Sequence, residues 1–470
     1  MDAVIDLLNL ILWNYILIYG LLAVGVFFTL RLGFLQFRHF KEFFRCVTSS
    51  GEVNRNGITP LQALTVSLAS RVGTGNIAGV AVAIYLGGAG AVFWMWLVAL
   101  VGMATAYSES ALAQLYKTRG PGGMYRGGPA FYISKGLGLP WLGAIFAICL
   151  IIAFGLVFNS VQSNSIAEAM NGAFGLPKWA VGIAVAALTM IIIFGGIPQI
   201  AKVAQVIVPF MAGAYLLAAM IVIVMNLTEV PGVLWQIVGG AFGLTEAAGG
   251  VAGSVTAAAM NGIKRGLFSN EAGMGSAPNI AAVATPDPHH PASQGFVQAL
   301  GVFIDTILVC TATAVMILLS GVLEHGNGVT GTVLTQSALV EHFGAAGGIF
   351  VAVAIFFFAF TSIIGNYAYA ENAISYLGFG GKSGLLVLRL AAAAMVLWGA
   401  VQSVATVFNL ADASMGLMAT INLVAIVALS GTVVKLTRDY LAQRKVGQLP
   451  TFEASKHPGL AKGVDPTIWR

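Results

Sequence analysis

Ser70-Arg71-Val72-Gly73-Thr74-Gly75-Asn76-Ile77-Ala78-Gly79 interrupts apolar sequence that is long enough in total to cross a bilayer. Two glycines two residues apart, each followed by a polar residue, continue a helix poorly, because glycine costs about 1 kcal/mol against alanine in a helix interior. Irregular backbone at membrane depth is tolerated only where it is buried in protein or lines a cavity. The break at 70–79 is therefore either a packing device, two helices crossing closely over glycine, or a binding site.

The surrounding composition sets the class. Of 470 residues, 58% are hydrophobic and 9% charged, with a mean hydropathy of +0.88. A soluble domain carries roughly 25% charged residues, so the chain reads as an all-α polytopic membrane protein. Fifty-eight glycines suit close helix approach in lipid. Cys46, Cys149 and Cys310 are scattered in or beside apolar segments and suggest neither a disulfide framework nor a zinc site. Asp2 and Asp6 precede the first apolar run, which ends at Arg31. A cleavable signal peptide needs positive charge first and a shorter apolar region, so this run is expected to stay as a spanning helix.

Apolar runs of sufficient length number roughly eleven. They centre near Leu21, Gly75, Met103, Ile151, Ala187, Gly213, Phe268, Leu308, Thr361, Ala394 and Ile421. With the N-terminus outside, 19 of the 23 basic residues fall in inner loops or the C-terminal tail, Arg55 among them, and only Lys178 falls in an outer loop. That asymmetry predicts N-terminus out and C-terminus in the cytoplasm. Residues 31–45, RLGFLQFRHFKEFFR, interleave Phe and Leu with basic residues and read as an amphipathic helix on the inner face.

A second span is interrupted at Phe268-Ser269-Asn270-Glu271-Ala272-Gly273-Met274-Gly275-Ser276-Ala277-Pro278. It is the seventh span and the first break is in the second, so the two cross in opposite directions. Even the wording is alike: GTGNIAGVAVA beside GMGSAPNIAAVA. Paired Gly/Pro-interrupted spans in oppositely oriented halves are the signature of an inverted-repeat secondary transporter. The expected organisation is an extra helix and amphipathic segment (1–60), two five-helix repeats (61–228 and 229–436) and a tail (437–470).

At these residues the sequence resembles the alanine/glycine:cation symporter family, sodium-coupled amino-acid carriers of the five-plus-five inverted-repeat, leucine-transporter-like fold. The stretches that carry the resemblance are SRVGTGNIAGVA, FNSVQSNSIAEA at 158–169, FSNEAGMGSAPNIAA at 268–282, FIDTILVCTAT at 303–313 and TSIIGNYAYAE at 361–371. The resemblance implies a sodium-coupled symporter for a small neutral amino acid. Several members of the family have a large aromatic residue where this chain has Asn366. That departure opens a second reading, a glutamine or broader neutral amino-acid carrier. No resident cofactor, nucleic acid or obligate protein partner is expected beside substrate, Na+ and membrane lipid.

A zwitterionic amino acid needs positive partners for its carboxylate and acceptors for its ammonium. In broken-helix transporters half-helix N-termini meet the carboxylate, and unwound carbonyls hold the ion. The N–H groups around Gly75, Asn76 and Ile77 and the side chains of Thr74 and Asn76 are the candidates for the carboxylate. Phe268 is expected to wall the substrate, with Ser269, Asn270 and the carbonyls around Gly273–Gly275 toward the ammonium or an ion. Gln162, amid Asn159, Ser163 and Asn164, is either a substrate contact or an interhelical hydrogen-bonding group. Thr361 and Ser362 are vicinal hydroxyls suited to sodium, or they bond back to their own helix. In the resembled fold such a pair joins carbonyls of the first break, here around Ala69, Ser70 and Val72. Asn366, four residues beyond Ser362, shares its face and is expected to line the pocket. Asp305 is a lone mid-span carboxylate: a sodium ligand, one half of an ion pair, or a proton carrier. Arg71, Lys264, Arg265, Glu271 and Glu371 are further candidates for internal pairs without assignable partners.

Other classes fit less well. Gly73-x-Gly75-x-x-Ala78 matches a dinucleotide fingerprint in form but follows no strand and has no acidic residue about 20 positions on. His289-His290 lacks a third ligand for a metal. There is no Walker motif, and neither HExxH nor GxSxG occurs, which argues against an ATP-driven pump and an intramembrane enzyme. An ion channel is the rival from another class; two facing breaks make an occluding site instead of a continuous pore.

Overall fold

A computed structural model describes residues 2–48, 56–244, 255–324 and 328–470. Arg55, counted above among the inner charges, lies outside the described residues. Among the described residues the fold is all-helical apart from a two-stranded hairpin, β1 (Thr118–Arg119) and β2 (Tyr125–Arg126). Among the described residues, eight helices are long and apolar enough to cross a membrane: α1 (Ile5–Arg31), α5 (Gly90–Leu115), α7 (Pro140–Phe174), α9 (Gly196–Met225), α13 (Pro291–Ser320), α15 (Ala345–Tyr376), α16 (Lys382–Val401) and α17 (Val404–Ala428).

The remaining three expected spans are shorter or broken. The first interrupted segment is α3 (Pro60–Arg71) followed by α4 (Gly75–Gly87). The second is α11 (Val255–Asn270) followed by α12 (Pro278–Ala281). Lys178–Ile193 forms α8. Shorter helices not anticipated as spans complete the chain: α2 (Phe40–Thr48), α6 (Pro129–Gly136), α10 (Val230–Ala241), α14 (Gly331–Phe343) and α18 (Ser430–Lys445). The stretch 31–45 is helical, as its pattern predicts, over Leu35–Arg38 and the start of α2. It packs on protein as well as exposing Phe34, Phe37 and Phe44, because Glu42 takes hydrogen bonds from Tyr440 (3.1 Å) and Arg444 (3.2 Å) of α18.

Helix ends follow local chemistry. Thr59 and Gln62 form a reciprocal capping box at the start of α3, with Pro60 in the first turn. Around the two broken segments, polar residues are buried: Ser67, Asn76, Ser108, Glu109, Asn159, Gln162, Asp305 and Asn366 are essentially inaccessible. Many exposed positions on the bundle's outer surface are large and apolar, among them Ile191, Val206 and Phe210. This is a bundle with a polar centre and an apolar rim, the inverse of a soluble core.

One end of the bundle is closed by the tail. Trp469 covers the Lys117 ammonium (5.0 Å to the ring centroid), which also sits 4.2 Å over Tyr125 and donates to Ala284 O at 3.0 Å. Burial pushes Lys117 well below the usual ammonium range. Phe452 N donates to His289 O (3.0 Å), and Ala454 N to Trp469 O (3.0 Å). The loop that anchors the tail follows α12 directly and is tied to the chain before α3 by Thr285 N to Ile58 O, 2.9 Å.

Candidate functional site

The first break is held open by close approach. Val72 N still bonds back to Leu68 O (2.7 Å), but its ψ of 86° takes the chain out of the helix. A Cβ on Gly73 would stand 2.3 Å from Ser362 Oγ and 2.8 Å from Gln162 Oε1. Only glycine lets α3 and α4 meet α7 and α15 here. Gln162 Oε1 accepts from both Thr74 N (3.0 Å) and Thr74 Oγ1 (2.8 Å), which brings it to the break. Gly73 N donates to Asn76 Oδ1 (3.0 Å), and Asn76 N donates to Gly73 O (3.2 Å). The N-terminal groups of α4 expected to be free at Asn76 are thus engaged within the break in this state.

The second break turns on backbone that few residues adopt. Glu271 has φ +56°, Gly273 +87° and Gly275 +80°, the left-handed region that only glycine visits without cost. Pro278 restarts the helix at its first turn. The unwound segment faces two ways. Phe268 and Ser269 meet the first break, since a Cβ on Gly75 would lie 3.0 Å from Phe268 and 3.3 Å from Ser269 Cα. Gly273 instead faces α5 and α17: its N donates to Glu109 Oε1 (3.3 Å) and its O accepts from Asn422 Nδ2 (2.9 Å). The Gly275 carbonyl is taken by Asn279 (2.9 Å). The carbonyls of Gly273 and Gly275, expected to be available to a ligand, are structurally committed. Asn270 Oδ1 accepts from Ala272 N (3.0 Å), while its Nδ2 is buried and unpartnered among the described residues.

Asp305 joins the two breaks. Its Oδ1 accepts from Asn76 Nδ2 at 2.6 Å, and its Oδ2 accepts from Ser269 Oγ (2.8 Å) and Thr306 Oγ1 (2.6 Å). Asn76 Nδ2 also lies 3.0 Å from Ser269 Oγ. The carboxylate makes no salt bridge among the described residues, so of the three readings open from sequence the direct ion pair is not formed. Residues 303–310 form a wider π-helical turn, a feature that recurs at functional sites. It places Asp305 and Cys310, five residues apart, on one side, and Cys310 Sγ lies 3.1 Å from Ser269 Oγ and 3.3 Å from Asn76 Nδ2. Cys310 and Thr313, whose hydroxyl donates to Asn76 O at 2.7 Å, were not candidates from sequence. The i, i+5 spacing of a π-turn would have been the signal.

The sodium candidates fall into two groups. Ser362 Oγ donates to Ala69 O at 2.8 Å, the contact the resemblance implies. It also lies 3.0 Å from Phe358 O. Thr361 Oγ1 donates to Phe358 O (3.0 Å) and lies against Met211 Sδ, the bond back to its own helix. Val72 precedes Gly73, the residue that faces Ser362, and its N is spent on Leu68. Asp305 stands apart, with Asn76, Ser269 and Thr306. Hydroxyls, carbonyls and a carboxylate are hard oxygen donors, as sodium requires. Asn366, which is buried, donates from Nδ2 to Asn159 Oδ1 (3.1 Å) and accepts at Oδ1 from Ser70 Oγ (2.6 Å).

Phe268, expected to wall the substrate, lies in an aromatic cluster beside the first break. Its ring stacks 4.9 Å from Phe158 and 5.6 Å from Phe408, and Arg265 lies over Phe268 and Phe408 at 5.7 and 5.3 Å. Lys264 (2.6 Å) and Arg265 (3.0 Å) both reach Asp412. Beyond the breaks toward the tail, Arg126 pairs with Glu371 at 3.2 Å. Arg71 donates to Gln298 O (3.2 Å). These partners, separated by up to 245 residues in sequence, were out of reach of sequence reasoning.

Two interrupted helices, joined through the buried polar side chains of Asn76, Ser269 and Asp305, are the arrangement of a secondary transporter. The sodium:alanine symporter family matches residues 1–454 of the chain. The amino-acid carrier protein AlsT of Bacillus subtilis is 50% identical over 459 residues, covering 98% of this chain and 96% of that protein. The probable sodium/glutamine symporter GlnT of the same organism is 47% identical over 454 residues, covering 96% and 93%. The sodium/alanine symporter AgcS of Methanococcus maripaludis is 38% identical over 452 residues, covering 94% and 98%. The chain belongs to the sodium:alanine symporter family: it is a sodium-coupled amino-acid symporter and not an enzyme.

Proposed function

We propose that the chain imports a small neutral amino acid, alanine or glycine first, with sodium, across a bacterial inner membrane. The observation that carries this reading is the bonding of Asn76 in the first break to Ser269 in the second and to Asp305. The substrate binds between the breaks at Thr74, Gly75, Asn76, Gln162, Phe268, Ser269 and Asn366. Its carboxylate takes the N-terminal N–H groups of α4 once the internal bonds of Asn76 and Gly73 open. Sodium uses Ala69, Val72, Thr361 and Ser362, and a cation beside Asp305 offsets the cost of that buried charge. Gly273 contributes by shaping the second break, since its own polar groups are spent on Glu109 and Asn422.

The two repeats, 61–228 and 229–436, are oppositely oriented on this reading. Supporting it, each half carries one interrupted helix, at 60–87 in the first and 255–281 in the second. The N-terminus is outside and the tail cytoplasmic, which accords with 19 of 23 basic residues in inner segments. Lys117 and Trp469 of the tail meet at one end of the bundle, as two inner segments must. Alternating access then opens Arg265–Asp412 on the outer side and Arg126–Glu371 on the inner side in turn. The membrane potential adds about 2.3 kcal/mol per net charge per 100 mV.

A second reading, glutamine, has its own observation. Asn366 is a buried amide beside the pocket, hydrogen-bonded to Ser70 and Asn159, and it supplies polarity for a substrate amide. The relative named for glutamine, at 47% identity, is more similar to this chain than AgcS, named for alanine, at 38%. Labelled alanine uptake into proteoliposomes, competed by glycine, serine and glutamine, separates the two. Competition by glycine and not glutamine supports the first reading; strong competition by glutamine supports the second. Current without substrate would point to a channel.

A further inference from the structure

The tail after α18 lies across a seam between segments that have to part if this end of the bundle opens. Thr285 N donates to Ile58 O (2.9 Å) and Ile58 N to Val283 O (3.3 Å), so the loop after α12 pairs with the chain that leads into α3. Tyr125 N donates to Asn56 O (2.7 Å), which joins the hairpin to the same seam. The hairpin carries Arg126, whose partner is Glu371 of α15. The tail grips the hairpin side and the loop side at once. The Trp469 ring lies 5.0 Å from Lys117 Nζ, and that amine lies over Tyr125, the neighbour of Arg126. The same ring lies 4.9 Å from the ring of His289, in the loop after α12. Phe452 N donates to His289 O (3.0 Å). Gly463 packs on α6, where a Cβ would stand 2.7 Å from Lys135 O.

Two features mark this docking as reversible. Lys117 is fully buried, yet its amine donates to the Ala284 carbonyl and makes no ion pair among the described residues. The indole N–H of Trp469 is buried with no acceptor among the described residues. Burying an amine without a counter-ion and an N–H without a partner is unfavourable, and water satisfies both when the tail lifts. Apolar burial opposes release: Phe452, Leu460, Val464, Ile468 and Trp469 are all buried. Residues 446–449, between α18 and the docked part, are exposed throughout. The tail can therefore leave the seam without unwinding α18.

We propose that the tail is an autoinhibitory latch: docked on Lys117 and His289, it holds shut the end of the bundle that carries Arg126–Glu371, and its release lets that end open. The latch residues lie apart from those that bind substrate or sodium. It sets how often the end opens, not what binds.

The inference rests on the symporter reading for the site that the latch encloses, and the test lets the two fail separately. Cys310 is buried between the breaks, 3.1 Å from Ser269 Oγ, so a bulky water-soluble maleimide reaches it when an end opens. In full-length protein carrying Cys46→Ala and Cys149→Ala, it is the remaining thiol. Labelling is followed in sodium-free detergent solution at pH 7.5, beside removal of the tail by a protease. Trp469→Ala in that background should label several-fold faster than its parent and lose its tail faster. Gly463→Val, whose side chain would meet Lys135 O, should do the same, and it decides the matter should Trp469→Ala not fold. Unchanged labelling in a variant whose tail is removed faster overturns the proposal, because the tail is then off and the end still shut. A tail no easier to remove in either variant also overturns it. So does labelling that rises only in step with a fall in unfolding temperature, which reports a loosened fold. No amino-acid uptake by wild-type proteoliposomes would sink the symporter reading and leave the labelling to decide the latch.

Discussion

Asn76 is where the two halves of the site depend on one side chain. Its Nδ2 supplies the donor to Asp305 Oδ1 at 2.6 Å, and its Oδ1 caps Gly73 N. Asn76→Ala leaves a buried carboxylate oxygen without that donor, which costs about 1–3 kcal/mol. Thermal unfolding in detergent should show the lower stability, and uptake should be lost; unchanged values of both would remove Asn76 from the centre of the account. At Asn366 the expected effect is on selectivity. Asn366→Trp fills the polar corner beside Ser70 and Asn159, so any glutamine uptake weakens while alanine uptake is spared; equal loss of both contradicts that role. Asp305 and Gln162 were legible from sequence because a carboxylate and a run of amides at membrane depth need partners. Which partners they take was not legible, because Asp305 reaches Asn76 across 229 residues and Gln162 reaches Thr74 across 88.

At the scale of elements, the glycines of the first break are there for approach. Gly73→Ala would put a methyl 2.3 Å from Ser362 Oγ and 2.8 Å from Gln162 Oε1. Overpacking of this kind costs typically 1–3 kcal/mol, and here it separates α3 from both α7 and α15. The expected outcome is a folded, less stable protein with substrate affinity reduced at least several-fold, read by binding in detergent. Both breaks could be read from glycine spacing, since glycine is a local signal. The commitment of Gly273 and Gly275 to Glu109, Asn422 and Asn279 is tertiary and could not. Outside the membrane, α13 and α18 carry a pH-sensitive joint. His290 Nδ1 accepts from Ala292 N (3.0 Å), so the neutral ring carries its proton on Nε2 and donates it to Asp439 (3.1 Å). Burial lowers the His290 pKa, with the Asp439 hydrogen bond opposing. A base held neutral by folding stabilises the fold above its unfolded pKa, about 6.5, and that contribution is lost as pH falls below it. Burial raises the Asp439 pKa, but the His290 hydrogen bond and charged neighbours outweigh it and leave it depressed. Its contribution persists to lower pH. Proteolysis of the tail should therefore speed up between pH 7.5 and 5.5; equal protection at both would contradict the joint.

For the whole molecule, the sequence carried the class because hydropathy is a sum over many residues; eight of the roughly eleven expected spans are helices long and apolar enough to cross a membrane among the described residues, and the other three are shorter or broken. The positions of α10 and α14, and the tail laid over Lys117 and His289, depend on packing between distant segments and left no such sum. The account places one enclosed site between two interrupted helices, with Arg265–Asp412 on one side and Arg126–Glu371 on the other. Its central claim is that sodium is bound by oxygens of this site. The direct measurement is a sodium titration of alanine uptake in proteoliposomes for the wild type, Asp305→Asn and Thr361→Ala. The account predicts that both substitutions raise the sodium concentration needed for half-maximal uptake. Unchanged sodium dependence in both would contradict it.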